Sequence, residues 1–199
     1  MFILDFKNFD TDILIKHIRD GYRDLDGNIV NEILEGGADF IFILNGEKIF
    51  SGICMGKKQD SLGLGWGFLN NLNNGFYDLL KTGRGKIYIA GTENQPPFMQ
   101  SIYINIQCTN EKICFSANRN DCDGMFEGIN KLKGQTVELG KAVDEVIRFL
   151  KSVRAIFKTA FKKLAPDKIN EYMELTFKHY SPWFPFEEEW TAIQKPLIK

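Results

Sequence analysis

Residues 40–50 read FIFILNGEKIF, in which two strand-like runs flank the dipeptide Asn45-Gly46. Asn and Gly tolerate the positive φ that both central positions of a type I′ turn require. The twist of that turn also matches the twist of the strands it joins. The segment therefore predicts a tight β-hairpin with strands over 40–44 and 47–50.

A second hairpin is predicted for residues 100–107 and 112–117. Along its first strand isoleucines alternate with other side chains: Ile102, Ile104 and Ile106 against Tyr103, Asn105 and Gln107. This period of two indicates a sheet with one packed face and one face in water. Parallel crossovers need about a dozen residues. The links at 45–46 and 108–111 are much shorter, so the sheet is predicted to be mainly antiparallel.

The longest helix is predicted over residues 141–164, and Pro166 ends it. Its apolar residues recur at steps of three and four: Val143, Val146, Leu150, Val153, Phe157, Ala160 and Leu164. Such a stripe suits packing against a sheet. The other face is basic, with Lys141, Arg148, Lys151, Arg154, Lys158 and Lys162. We interpret it as a solvated face; the alternative is a helix that binds a membrane surface or a partner.

The remaining elements complete an α+β fold. Further strands are predicted at 2–6, 86–90 and 134–139, and further helices at 10–23, 29–35, 64–82 and 167–179. The polar, glycine-containing residues 118–132 are interpreted as a loop. The predicted architecture is a mainly antiparallel β-sheet with two hairpins and about six to seven strands, packed against the long C-terminal helix and shorter helices. We expect a single domain over residues 1–199, with 180–199 as an irregular C-terminal arm.

Charge and hydropathy narrow the possible partners. The net charge of −1 gives no electrostatic case for nucleic acid or an anionic membrane as the partner. No apolar run approaches the roughly 18 residues of a membrane span, and the N-terminus lacks the basic region of a signal peptide. We therefore expect a cytoplasmic protein with reduced thiols. Charge is uneven: residues 1–60 carry a net −4 and residues 131–165 a net +6, which favours attraction within the fold.

The residue types that carry chemistry form no recognisable reaction centre. The four cysteines lie at 54, 108, 114 and 122. They include no Cys-x-x-Cys pair, and His17 and His179 are far apart, so no zinc site is indicated. Asp-x-Asp-Gly stretches at 24–27 and 121–124 lack the final acid of a calcium loop and are interpreted as turns. Residues 63–67 lack the spacing of glycine motifs that bind nucleotides. We expect no cofactor, no metal and no catalytic residue that the sequence alone identifies.

The stretch WFPFEEEW, residues 183–190, places four aromatic residues beside three acids. Large rings with little rotamer freedom are typical of binding hot spots. The candidate partner-binding residues are Trp183, Phe186, Glu187, Glu188, Glu189 and Trp190. The alternative is an arm pinned over the protein's own core, with its acids facing water or the basic helix.

Two classes of function remain open. The first is a non-enzymatic protein that binds another protein by surface complementarity, such as a bacterial immunity protein that neutralises a basic toxin domain. Acidic patches suit a basic partner because charge complementarity speeds encounter and sets orientation. The second is a small hydrolase or transferase whose residues converge only in the fold. The missing catalytic signature favours the first class.

Overall fold

The computed structural model describes residues 1–7, 39–54, 57–59, 62–63, 66–90, 102–118 and 127–174. The strands in these ranges are β1 (Phe2–Lys7), β2 (Asp39–Leu44), β3 (Glu47–Lys48), β4 (Gly52–Cys54), β5 (Lys57–Gln59), β6 (Leu62–Gly63), β7 (Arg84–Ala90), β8 (Ile102–Thr109), β9 (Lys112–Ala117) and β10 (Thr136–Glu138). The α-helices are α1 (Trp66–Thr82), α2 (Leu139–Leu164) and α3 (Ile169–Glu174). Short 3₁₀ helices cover Glu127–Leu132 and Pro166–Lys168. The fold is α+β, as predicted.

The first sheet contains the hairpin predicted from residues 40–50, but its second strand ends at Lys48, two residues earlier than predicted. β2 pairs antiparallel with β3, with β1 on its other side, and β6 also pairs with β2. Asn45 and Gly46 have φ values of 49° and 91°, as a type I′ turn requires. The Asn45 side chain also donates to Gln135 Oε1 at 2.6 Å and to the carbonyl oxygen of Thr136 at 3.2 Å. The turn of the first sheet is therefore tied to the start of β10 in the second.

The second sheet has the strand order β10-β9-β8-β7, and all its pairs are antiparallel. The predicted alternation along β8 is confirmed. Ile104 and Ile106 are buried, whereas Asn105 is half-buried and Gln107 is exposed. One face of this sheet therefore packs into the core, and the other is lined by polar and aromatic side chains.

A buried cluster of phenylalanines joins the two sheets and α1. The Phe2 ring of β1 lies 5.2 Å from that of Phe42 in β2, 6.0 Å from that of Phe76 in α1 and 5.9 Å from that of Phe115 in β9. Such aromatic pairs contribute about 0.5–1.5 kcal/mol each beyond the area they bury.

The long helix α2 begins two residues earlier than predicted and contacts β1, β9 and β10. The predicted stripe is buried through Ala160, and Leu164 is half-buried. On the basic face, Arg154 is half-buried and the other five predicted cations are exposed. Among the described helices, none combines the length and apolarity that crossing a membrane requires.

Some predictions need correction and others remain open. The predicted loop over 118–132 is wrong in its last third, where the 3₁₀ helix Glu127–Leu132 buries Ile129 and Leu132. The helix predicted over 167–179 has an initial 3₁₀ turn and is described as α-helical only for Ile169–Glu174. The helices predicted at 10–23 and 29–35, both Asp-x-Asp-Gly turns and the arm 180–199 lie outside the described residues.

Candidate functional site

The predicted partner-binding residues Trp183, Phe186, Glu187, Glu188, Glu189 and Trp190 all lie outside the described residues. The assignment of residues 183–190 to a binding surface therefore remains a prediction. The described part of the chain contains a different candidate, a polar groove of about 970 Å³ between α1 and the outer face of the second sheet.

One wall of the groove is the polar flank of α1. The helix buries Phe68, Leu72, Phe76, Leu79 and Leu80 in the core. Side chains three or four residues apart share a helix face. That spacing brings Asn71, Asn74, Asp78 and Thr82 together along the groove. The amphipathic sequence that docks α1 thus also orients its polar wall.

The floor of the groove is the outer face of β7, β8 and β9. Alternate residues of a strand point to the same face of a sheet. Arg84, Lys86 and Tyr88 of β7 therefore line the groove together with Asn105 and Gln107 of β8 and Ser116 of β9. Lys86 is opposite Asn105, and Arg84 is opposite Gln107. Each cation of β7 thus has a side-chain amide beside it on the next strand.

Gly75 allows the wall to lie close to the floor, and Gly83 turns the chain from one into the other. A Cβ atom on Gly75 of α1 would lie 2.7 Å from the carbonyl oxygen of Lys86, closer than real contacts allow. The helix is also bonded to the strand, because Asn71 Nδ2 donates to the carbonyl oxygen of Tyr88 at 3.1 Å. Gly83, with φ of 79°, ends α1 and turns the chain directly into β7.

Aromatic rings stand at one end of the groove. Tyr88 is opposite Tyr103 in the register, and their ring centroids are 5.2 Å apart at an interplanar angle of 49°. The Lys86 ammonium lies 5.2 Å from the centroid of the Tyr103 ring, within range of a cation–π interaction. Tyr88 lines the groove, and Tyr103 packs beside it on the same face of the sheet.

Several groups in the groove have hydrogen-bonding capacity to spare. Within the described residues, the structure gives no hydrogen-bond or ion-pair partner to the side chains of Asn74, Arg84, Asn105 and Gln107. A side-chain amide offers both donors and an acceptor, and a guanidinium offers five donors. The groove can therefore hydrogen-bond a polar ligand without first breaking contacts among these side chains.

Shifted pKa values occur elsewhere and have structural causes. A hydrogen bond from Lys131 to Glu47, at 2.6 Å, raises the pKa of that lysine. A hydrogen bond to Lys141, with help from the lysine's charge, lowers the pKa of the Glu138 carboxyl group. A hydrogen bond to Glu145 likewise raises the pKa of Arg148. None of these groups lines the groove, and each shift comes from an ion pair between neighbouring elements or within α2.

The Glu145–Arg148 pair protects the edge of the first sheet. The backbone N–H of Leu4 donates to Glu145 Oε1 at 2.8 Å, and Arg148 Nη2 donates to the carbonyl oxygen of Leu4. Arg148 Nε is also 2.7 Å from Glu145 Oε2. Side chains of α2 thus bond the outward-facing backbone groups of Leu4, where an additional strand would otherwise pair.

Cys, Asp and Glu side chains, which can ligate metals, are present in the described ranges. No group of three or more His, Cys, Asp or Glu side chains converges there in a way that would hold an ion. Cys108 shares the packed face of β8 with Ile106, whereas Cys114 is opposite Gln107 on the outer face. What the groove offers chemically is recognition of a polar ligand by hydrogen bonds and charge.

Sequence reasoning identified the wet face of the second sheet but not the groove. The available signal was the polar alternation in Arg84, Lys86 and Tyr88, followed by the polar α1 positions Asn71, Asn74 and Asp78. What the sequence did not reveal was that α1 lies along β7. Comparison with protein-family models, curated proteins and solved structures finds no match to this chain.

Proposed function

We propose that this protein is a non-enzymatic binding protein that recognises another protein through its surface. The observation that carries the proposal is the groove beside α1, where Arg84 and three amide side chains face solvent without partners among the described residues. Groups in this state suit reversible recognition because binding adds hydrogen bonds without replacing internal ones.

The proposal extends to a specific role, neutralisation of a basic toxin domain by an immunity-type mechanism. This role is supported by the net negative charge of residues 1–60 and by the run Glu187-Glu188-Glu189 beside Trp190. Acidic groups attract a basic partner from a distance, and aromatic rings supply contact area once the two proteins meet. Masking a toxin in this way requires no chemical step in the immunity protein.

The test is affinity capture of the tagged full-length protein from its source cell, followed by mass spectrometry. A specific partner is then purified, and its affinity for the protein is measured by titration calorimetry. We expect saturable binding that weakens when Glu187, Glu188 and Trp190 are substituted together. The matched control is Glu127→Gln with Glu171→Gln, two exposed acids elsewhere on the surface. The control should bind as the unsubstituted protein does.

One outcome would contradict the assigned contact surface, and another would contradict the proposed function itself. If the triple variant and the control bind the partner equally well, residues 183–190 are not the contact surface. If the purified protein turns over a panel of esters, phosphate esters and glycosides, the alternative of a small hydrolase or transferase is correct. In that case a substitution in the groove, such as Asp78→Asn, tests whether the groove is the reaction site.

A further inference from the structure

We infer that the groove between α1 and the second sheet binds an extended acidic segment of a partner polypeptide, with carboxylates at alternate residues. This inference rests on the proposed protein-binding function and names the chemistry that the groove recognises. It concerns a surface separate in sequence from residues 183–190.

The spacing of the two cations on the floor supports this assignment. Arg84 and Lys86 are alternate residues of β7 and line the same groove. Alternate residues of a strand are about 6.6–6.8 Å apart. An extended peptide that runs along β7 repeats its own side chains at the same interval. Carboxylates two residues apart in such a peptide would therefore meet both cations in register.

The two cations would contribute differently. The guanidinium of Arg84 is exposed and can accept a carboxylate in a bidentate arrangement, which is geometrically specific as well as strong. The ammonium of Lys86 is compact and already lies beside the Tyr103 ring, so it acts as a point charge. Arg84 is thus the position at which substitution should most alter the preference for an acidic residue.

The amides of the groove match the backbone of such a segment. A peptide unit presents one N–H donor and one C=O acceptor, and a side-chain amide presents both in return. Asn105 and Gln107 on the floor and Asn74 on the wall supply these groups along the groove. The exposed Asp78 on the wall can accept a hydrogen bond from a backbone N–H.

The groove also indicates how the segment lies and how long it is. The span from Arg84 to Tyr88 is about 13 Å, which an extended chain covers with roughly four or five residues. The α1 helix lies along β7, and Asn71 bonds the carbonyl oxygen of Tyr88. The segment should therefore lie over the face of the sheet, because strand addition at this edge is blocked.

A peptide fits these groups better than a nucleic acid strand does. The carboxylate of Asp78 on the wall can only accept hydrogen bonds; the N–H groups of a peptide backbone can donate to it, whereas a phosphodiester group offers no donor. Nucleic acid also offers few backbone donors for the amide oxygens of Asn74, Asn105 and Gln107. Single-stranded RNA nevertheless serves as the competing probe in the test, because the tyrosine pair is able to stack bases.

The test is selection of a displayed random decapeptide library on the immobilised full-length protein. We expect enrichment of Asp or Glu at alternate positions. The decisive variant is Arg84→Glu. Peptides selected on this variant should carry Lys or Arg at one of the two positions where peptides selected on the unsubstituted protein carry Asp or Glu. The matched control is Lys112→Glu, an exposed cation of β9 in the same sheet but outside the groove lining. This control should select the original motif.

A selected peptide is then measured by fluorescence anisotropy. Arg84→Gln should weaken its binding about tenfold or more, the usual effect of losing a hydrogen bond to a charged group. Unfolding midpoints of all variants, compared with that of the unsubstituted protein, separate lost binding from lost folding. The inference is overturned if no acidic alternation is enriched, or if the motif is the same for Arg84→Glu. Arg84-dependent binding of labelled decauridine with no peptide enrichment would assign the groove to nucleic acid instead.

Failure here is distinguishable from failure of the proposed function. If a specific protein partner is captured equally by Arg84→Glu and no acidic motif is enriched, the protein-binding function stands and the groove assignment falls. If the library yields the acidic motif but capture yields no specific partner, the groove binds peptides and the toxin-neutralising role loses its support.

Discussion

Gly75 and Gly85 bring the backbones of α1 and β7 into direct contact: a Cβ atom on Gly85 would lie 1.9 Å from the carbonyl oxygen of Gly75. Only a residue without a side chain allows this approach. The contact holds α1 against β7, the edge strand of the second sheet, and the polar flank of the helix lines one groove with Arg84, Lys86 and Tyr88 of that strand. The width of the groove therefore depends on these two glycines.

We predict that Gly85→Ala destabilises the protein by about 1–3 kcal/mol or more, because the added methyl group forces α1 away from β7. The same change should widen the groove and lower the affinity for any ligand that contacts both Asn74 and Gln107. Urea unfolding followed by circular dichroism measures the loss of stability.

The control for this substitution is Gly140→Ala. Gly140 is exposed in the first turn of α2, and a Cβ atom there meets nothing within 4 Å. Because Ala is a better helix former than Gly, this variant should be unchanged or up to about 1 kcal/mol more stable. Equal effects of the two substitutions would show that the contact between Gly75 and Gly85 is not tight in solution.

The elements predicted correctly from the sequence are those with strong local signals. The hairpin at Asn45-Gly46 follows from backbone preferences of two residues, and α2 follows from an apolar period sustained over many turns. Both signals are local, so tertiary contacts reinforce them rather than decide them.

The elements that sequence reasoning missed depend on distant contacts. β4, β5 and β6 have only two or three residues each, too few for a periodic pattern. The 3₁₀ helix Glu127–Leu132 is positioned by a bond from the Gly128 N–H to the carbonyl oxygen of Ser51, at 2.9 Å. The groove is a further case, because its wall and floor belong to elements whose packing arrangement has no local signature.

We predict that Arg148→Met destabilises the protein by about 1–2 kcal/mol. The substitution removes the donor to the Leu4 carbonyl oxygen and leaves the Glu145 carboxylate without its cation. Hydrogen bonds to charged groups contribute about 1.5–3 kcal/mol, and the partial exposure of Arg148 reduces that figure. Lys158→Met, an exposed cation on the same helix, is the control and should change stability by much less.

A double-mutant cycle separates the ion pair from the bonds to Leu4. Glu145→Gln should lower the free energy of unfolding less in the Arg148→Met variant than in the unsubstituted protein, because the variant already lacks the ion pair. Amide hydrogen exchange at Leu4 should accelerate in Glu145→Ala, which removes the acceptor of its N–H. Unchanged exchange at Leu4 would mean that this bond does not protect the edge strand.

The Glu138–Lys141 ion pair predicts a specific pH dependence. The pKa of Glu138 is lower in the folded protein than its ordinary value of 4.5, chiefly because Lys141 donates a hydrogen bond to the carboxylate. Its contribution to stability is therefore present above that ordinary value and is lost as the pH falls through the folded-state pKa. Between pH 6 and pH 3 the unfolding midpoint of the unsubstituted protein should fall more than that of Glu138→Gln.

The control for the pH effect is Lys141→Met, in which Glu138 loses the partner that lowers its pKa. In the Lys141→Met background, the unfolding midpoint should depend on pH in nearly the same way whether residue 138 is Glu or Gln. The difference in the parent protein should be small, because both side chains of the pair are exposed and salt screens them. An equal fall in midpoint with and without Glu138 would rule out the ion pair as its cause.

Asn45 has two roles that substitutions can separate. Its φ of 49° belongs to the turn, and its side chain bonds Gln135 and the Thr136 carbonyl oxygen of the second sheet. Asn45→Gly keeps the turn and should lose about 1 kcal/mol, the usual net value of exposed hydrogen bonds. Asn45→Ala also places a Cβ atom in the left-handed region, which costs about 1–2 kcal/mol, so this variant should be the less stable of the two. Equal unfolding midpoints for the two variants would mean that Asn45→Ala relieves the backbone strain by changing the turn. In that case amide hydrogen exchange in β2 and β3 should be faster in Asn45→Ala and unchanged in Asn45→Gly.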